Sequence, residues 1–250
     1  LPDRDGPYAS AYIDSTLSFY YVNLLKKYGS IQGWRDMSLR RLRSWGLNTI
    51  GNWAEDSLLM QSAIPFTYAL ETSIKSWQED VYDPTWEAHL DSVFARAAMF
   101  KTNKYLLGYF VDNEAGWGNL KLLLKLPNNA KLREKWVSEL KRKYVSLNAF
   151  NYQAKGEFKS WSEVAVCDDP TLVSKDDILL LDSLYTDKYF STIVQTLKKH
   201  DPNHLYLGCR FTRKLKPAHI LEIAGKYCDV ITVNVYSYEP IKEDMDKWHK

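Results

Sequence analysis

The chain has 250 residues, is 45% hydrophobic and 26% charged, and has a mean hydropathy of −0.40, a composition able to bury a sizeable core. Lys plus Arg number 33 against 31 Asp plus Glu, a net charge of +2, which gives no reason to expect a nucleic-acid partner. No apolar run approaches the roughly 18 residues a membrane helix needs, and three cysteines without C-x-x-C spacing imply neither a zinc site nor a disulfide framework.

Helical spacing of Leu17, Tyr20, Tyr21, Leu24, Leu25 and Tyr28 predicts a helix over 15–28, capped by Asp14 or Ser15 and ended by Gly29. A second is predicted over 36–45, with Leu39, Leu42 and Trp45 on one side and Gly46 as the stop. Residues 47–52 read as a strand, 56–62 as a short segment and 64–70 as a strand. Asp83 followed by Pro84 opens a helix to about Phe100, since Asp caps and Pro loses nothing at the first helical position.

The apolar run 105–111 is a buried strand. Helix is predicted over 131–149, then an irregular part around Trp161 and Cys167, then helix over 186–199. A strand at 204–211, a helix at 217–227 and a strand at 230–236 follow. His200 and His204 flank the intervening turn and read as solvated. Strand followed by helix, repeated, means an α/β fold with a parallel sheet, here read as one domain over 1–250. The chain starts at Leu1 in a polar run and stops at Lys250 in what reads as mid-helix, so truncation at both ends is expected.

Dinucleotide, phosphate-loop, zincin and nucleophile-elbow motifs are all missing from the sequence, and no cofactor or metal is implied. Reactive groups in parallel α/β folds sit at the carboxyl ends of strands. Those ends hold Asn52 and Trp53; Glu71; Asp112, Asn113 and Glu114 with Trp117 between two glycines; Arg210; and Asn234, Tyr236 and Tyr238.

Glu114 is the sharpest of these. At the end of a buried strand its carboxyl is expected to be desolvated and its pKa raised, as a proton donor to a glycosidic oxygen requires. Asn113 could hold a sugar hydroxyl. The competing reading is a loop carboxylate that caps a helix. Trp53 and Trp117 offer either flat faces for sugar stacking or rim packing, and Arg210 either a substrate contact or an ion pair. The direction in which Asp112 points is left open by strand alternation.

The runs from Arg40 through Leu42, Trp45 and Asn48 to Trp53, and from Leu107 to Glu114, resemble the β-agarase family, glycoside hydrolase family 50. The stretch from Asp201 through Pro202 and His204 to Phe211, with Tyr227, Cys228, Asp229 and the run Asn234, Val235, Tyr236, is similar as well. The resemblance implies a (β/α)8 barrel, of which the chain would carry strands two to six, and retaining hydrolysis of β-galactosidic bonds in agarose-like polysaccharides. It implies that Glu114 is the acid/base, that Asn113 binds sugar, and that Tyr236, with Tyr238 as fallback, positions a nucleophile lying beyond Lys250. Asn52, Trp53, Trp117, Arg210 and Asn234 are the further candidates for substrate contact. Another retaining β-glycosidase, or a barrel that binds saccharide without cleaving it, are the alternatives. A polymeric substrate implies a location outside the cytoplasm, secreted or periplasmic.

Overall fold

The structure, a computed structural model, describes residues 4–13, 15–72, 79–118, 123–124, 126–127, 130–212 and 218–238. The chain forms two compact units, Leu1–Phe66 and Thr67–Lys250.

In the first unit a two-stranded antiparallel ribbon, β1 (Tyr12–Ile13) with β2 (Thr16–Leu17), takes residues predicted as the start of a helix. That helix runs only over Phe19–Tyr28, capped by the Ser18 hydroxyl, and Gly29 ends it with a left-handed φ of 77°. Of the predicted caps, Asp14 lies outside the described residues and Ser15 precedes the ribbon strand. The next helix, Ile31–Ser44, begins earlier than expected because the Ser30 side chain accepts from the Gly33 N–H. The predicted strand at 47–52 shrinks to one parallel bridge, Ile50 to Phe66. Among its residues Ile50 is buried whereas Leu47 is exposed, so most of the segment lacks the apolar face that would hold a ladder. Asp56–Gln61 is a helix whose N-cap, Glu55, also pairs with Arg35.

The second unit carries the strands that position the site. β3 (Phe66–Leu70) begins at the last residue of the first unit. β4 (Leu106–Val111) lies between β3 and β5 (Leu205–Tyr206), in parallel register with the latter at Gly108–Leu205 and Tyr109–Tyr206. Gly108 is required there, because a Cβ would meet the Leu205 carbonyl oxygen. β6 (Phe211–Thr212) pairs in parallel with β7 (Val233–Asn234). The run 204–211 predicted as one strand is therefore two short ones, parted by left-handed Gly208 (φ 76°) and Arg210 (φ 46°). Similarly, the strand predicted over 230–236 narrows to β7.

Asp83 caps the helix Pro84–Phe94 as expected, and a 3-10 segment, Ala95–Phe100, completes it. Helices Lys131–Tyr144 and Leu147–Gln153 divide the predicted 131–149 stretch, and Trp161–Val166 is a helix where irregular chain was expected. The helix predicted at 186–199 spans Lys175–His200. Its missed opening carries a readable signal: the Ser174 hydroxyl accepts from Asp177 N–H, and two aspartates sit in the first turn. Ile178, Leu181, Tyr185, Tyr189, Phe190, Ile193 and Leu197 bury one face of it. Among the described residues, the last helix is Ala218–Gly225.

His204 is not a solvated turn residue. Its ring reaches Asp201 Oδ2 at 2.7 Å and the Asn103 carbonyl at 3.0 Å, while the buried Tyr109 donates its hydroxyl to the same Asp201 oxygen at 2.6 Å. This network ties the end of the long helix to β4. Burial pushes the Asp201 carboxyl up, but hydrogen bonds from Tyr109, the Asn203 N–H and His204 outweigh it and leave the pKa lowered. Because the folded-state pKa is depressed, this stabilisation is present above the ordinary carboxylate range and is lost as pH falls through the folded value. Tyr109→Phe is expected to cost about 1–3 kcal/mol at neutral pH, read as a lower Tm, with the difference from wild type narrowing in acid.

Candidate active site

The carboxyl end of β4 leads directly into Asp112, Asn113 and Glu114. Both Asp112 (φ 59°) and Glu114 (φ 51°) have left-handed backbone, an arrangement rare for side chains with a Cβ. The turn is held at both sides by the main chain: Asp112 N–H donates to the Leu70 carbonyl at 2.9 Å, and Glu114 N–H to the Arg210 carbonyl at 3.1 Å. It thereby joins the ends of β3 and β4 to the left-handed residue before β6.

Glu114 Oε1 accepts two hydrogen bonds, from the Tyr236 hydroxyl at 2.6 Å and from Asn234 Nδ2 at 2.7 Å. The same amide nitrogen lies 3.2 Å from Asn113 Oδ1. Arg210 donates from Nε to Asn234 Oδ1 at 2.9 Å, which turns the amide so that its NH2 faces Glu114. The Arg210 guanidinium also lies over the Phe110 ring, 5.6 Å from its centroid. Arg210 thus serves as the orienting donor behind Asn234, a role that neither sequence alternative for it included.

The expected raised pKa of Glu114 is corrected. The carboxyl is lowered, first by the Tyr236 hydrogen bond and then by Asn234; burial opposes them, and the positive Arg210 adds a still smaller lowering effect. The strand that precedes Glu114 is buried, but the left-handed turn swings the side chain out to where donors from the β7 end reach it. Tyr236 responds in the opposite sense, its hydroxyl pKa raised by the carboxylate.

Asp112, whose direction alternation left open, points inward. Its carboxylate accepts from Thr72 N–H at 2.8 Å, from the Thr72 hydroxyl at 2.8 Å and from the Tyr189 hydroxyl at 2.6 Å. Burial raises its pKa, against these hydrogen bonds. Thr72 and Tyr189 went unrecognised in the sequence, since nothing local links them to the β4 end.

Trp117 is corrected as a sugar-stacking candidate. It is 4% exposed and packs on Phe190, stacked at 5.0 Å, and edge-on to Tyr189 at 4.9 Å. Asn113 is exposed beside Glu114, and Tyr236 and Tyr238 are exposed at the β7 end. Asn52 and Trp53 belong to the first unit, where Trp53 is 59% exposed with a positive φ. Among the described residues, no group of three or more His, Cys, Asp or Glu is placed to hold a metal ion, and no helix is long and apolar enough to cross a membrane.

No protein-family model matches the chain. It is 26% identical to β-agarase A of Vibrio sp. (strain JT0107) over 98% of its length, and 29% identical to β-agarase B of the same organism over 88%. Among solved structures, that of an exo-β-agarase aligns over the whole chain with 27% identity and a TM-score of 0.84. The chain spans only 28% and 26% of the two curated relatives and 40% of that structure. A mixed helix and strand fold that presents a carboxylate at a strand end thus coincides with likeness to a class of polysaccharide-cleaving enzymes. The resemblance to the β-agarases of glycoside hydrolase family 50 extends over nearly the entire chain.

Loss of either donor is expected to raise the Glu114 carboxyl toward its ordinary value, Tyr236→Phe more than Asn234→Ala. A 13C NMR titration of the glutamate side chains checks this, and a Glu114 titration unchanged in both variants would contradict the assigned geometry.

Proposed function

We propose that the protein carrying this chain hydrolyses β-galactosidic bonds of agarose-like polysaccharides, outside the cytoplasm, with Glu114 as general acid/base. The observation that carries this reading is the Glu114 carboxylate at the carboxyl end of β4, reached by an amide and a phenol from the β7 end and flanked by the exposed Asn113. Parallel pairing of β4 with β5 and of β6 with β7, with helices between them, supports folding as part of a (β/α)8 barrel, where catalytic groups gather at this end of the strands.

In a retaining mechanism Glu114, protonated, gives its proton to the glycosidic oxygen while a second carboxylate attacks the anomeric carbon; the sugar–oxygen bond breaks and a glycosyl ester forms. Glu114, now ionised, then takes a proton from water, whose oxygen attacks the same carbon and releases the second carboxylate. The nucleophile would stand about 5–5.5 Å from Glu114, and we place it at the end of the next barrel strand, after Tyr238.

The hydrogen bonds from Tyr236 and Asn234 suit Glu114 to the base step, because they favour the ionised form. The acid step needs a higher pKa. Tyr236, 80% exposed, has room to turn toward the incoming nucleophile carboxylate, and its departure removes the largest influence lowering the Glu114 pKa. Asn113 is the neighbour suited to a substrate hydroxyl.

Glu114→Gln is expected to lower agarose cleavage by the enzyme about 10²–10⁴-fold, with the wild type releasing the β-anomer first by 1H NMR. Saccharide binding without cleavage by the wild type would favour a binding-only barrel, and undiminished cleavage by Glu114→Gln would overturn the assignment.

A further inference from the structure

Three of the six non-glycine residues with positive φ among those described, Asp112, Glu114 and Arg210, meet at this site. Glu and Arg gain nothing intrinsic from left-handed backbone, so surrounding contacts must impose it. The main-chain bonds to Leu70 and Arg210 hold the turn from the sheet side. From the opposite side it is tied to the helix Lys175–His200 by two adjacent residues. Tyr189 donates to Asp112 Oδ2 at 2.6 Å, ahead of Glu114, and Tyr189 and Phe190 together clasp the Trp117 ring, behind it. Tyr189 is itself 1% exposed and stacks on Trp86, whose helix packs on the long one, so it has little freedom to follow a moving loop.

We propose that Asp112 is the positioning residue of this site, its half-buried carboxylate pinning the 112–117 bridge between Thr72 and Tyr189 so that Glu114, at mid-span, stands within reach of Asn234 and Tyr236. The Asp112 carboxylate is held by Thr72 and Tyr189, so it acts on Glu114 through the backbone. Its kinetic consequence rests on Glu114 being the acid/base. Three donors onto one carboxylate make the ionised aspartate hard to replace. Asparagine has the same shape, but its NH2 can only donate, and it would present a donor to the Thr72 or Tyr189 hydroxyl.

The test is a set of variants of the complete enzyme, each corrected for folded fraction by circular dichroism and thermal melting. A displacement of a reacting group by about 1 Å can cost a hundredfold; kcat/KM is accordingly expected to fall roughly ten- to a hundredfold for Asp112→Asn, and less for Tyr189→Phe, which keeps the ring on Trp117. Thr72→Ser is expected to recover most of what Thr72→Val loses, because it keeps the hydroxyl.

The pH profile separates positioning from simple destabilisation. The groups that depress the Glu114 carboxyl are Tyr236, Asn234 and Arg210. When Glu114 drifts from them its pKa rises, so the alkaline limb, where the general acid loses its proton, moves to higher pH in Asp112→Asn and Tyr189→Phe. A loss explained wholly by folded fraction, or activity within twofold of wild type with the limb unmoved, overturns the inference if Glu114→Gln is inactive. Should Asp112→Asn not fold, Tyr189→Phe decides alone. Activity retained in Glu114→Gln would instead refute the acid/base reading, whatever the Asp112 variants do.

Discussion

Withdrawing a carboxylate from water, even in part, is costly unless hydrogen bonds replace the water it loses. Asp112 meets that requirement with the Thr72 N–H, the Thr72 hydroxyl and the Tyr189 hydroxyl. Those donors come from the chain just past β3 and from the middle of the long helix. Satisfying one half-buried carboxylate therefore forces a strand end and a helix to agree on where the chain after β4 must run. Once Asp112 is fixed with its φ at 59°, the next residues leave the strand direction, and Glu114 is delivered to the β7 end instead of continuing into the core.

The rest of the site follows from that delivery. A carboxylate brought out of the interior can be reached by polar groups, and the β7 end supplies an amide and a phenol. The amide has a defined sense because Arg210 holds its oxygen. Arg210 in turn presents its carbonyl to the Glu114 N–H, so one residue before β6 sets both the backbone and the hydrogen-bond partner of Glu114. Buried aromatic packing around Trp117, Tyr189, Phe190 and Phe211 closes the arrangement from beneath. The polar contacts thus rest on a rigid apolar floor, which is what holding a functional side chain to a fraction of an ångström requires.

Much of this could be read from local chemistry. Asp83 with Pro84, Gly29, and the unbroken apolar run at β4 each act through neighbours in sequence, and each behaves as expected. Strand lengths were less legible. Residues 47–52 and 204–211 look extended, yet the first buries little beyond Ile50 and the second bends at Gly208 and Arg210, and neither bend is encoded by a residue pattern specific to it. Glu114 and Asn113 stood out because they end a buried strand. The ionisation tendency of Glu114 did not, since it is set by side chains 120 and 122 residues away. Trp117 shows the same limit: a tryptophan between glycines suits a ligand face or a core anchor, and the aromatic pair on the distant helix decides for the core.

If the Asp112 carboxylate shapes the turn, removing its charge must change the backbone at Glu114 itself. A high-resolution crystal structure of the Asp112→Asn protein measures this directly. The account predicts that Glu114 leaves left-handed backbone and that its carboxyl parts from Asn234 Nδ2 and the Tyr236 hydroxyl, with the strands unmoved. A turn that keeps φ near 51° at Glu114, with both hydrogen bonds intact, would contradict it.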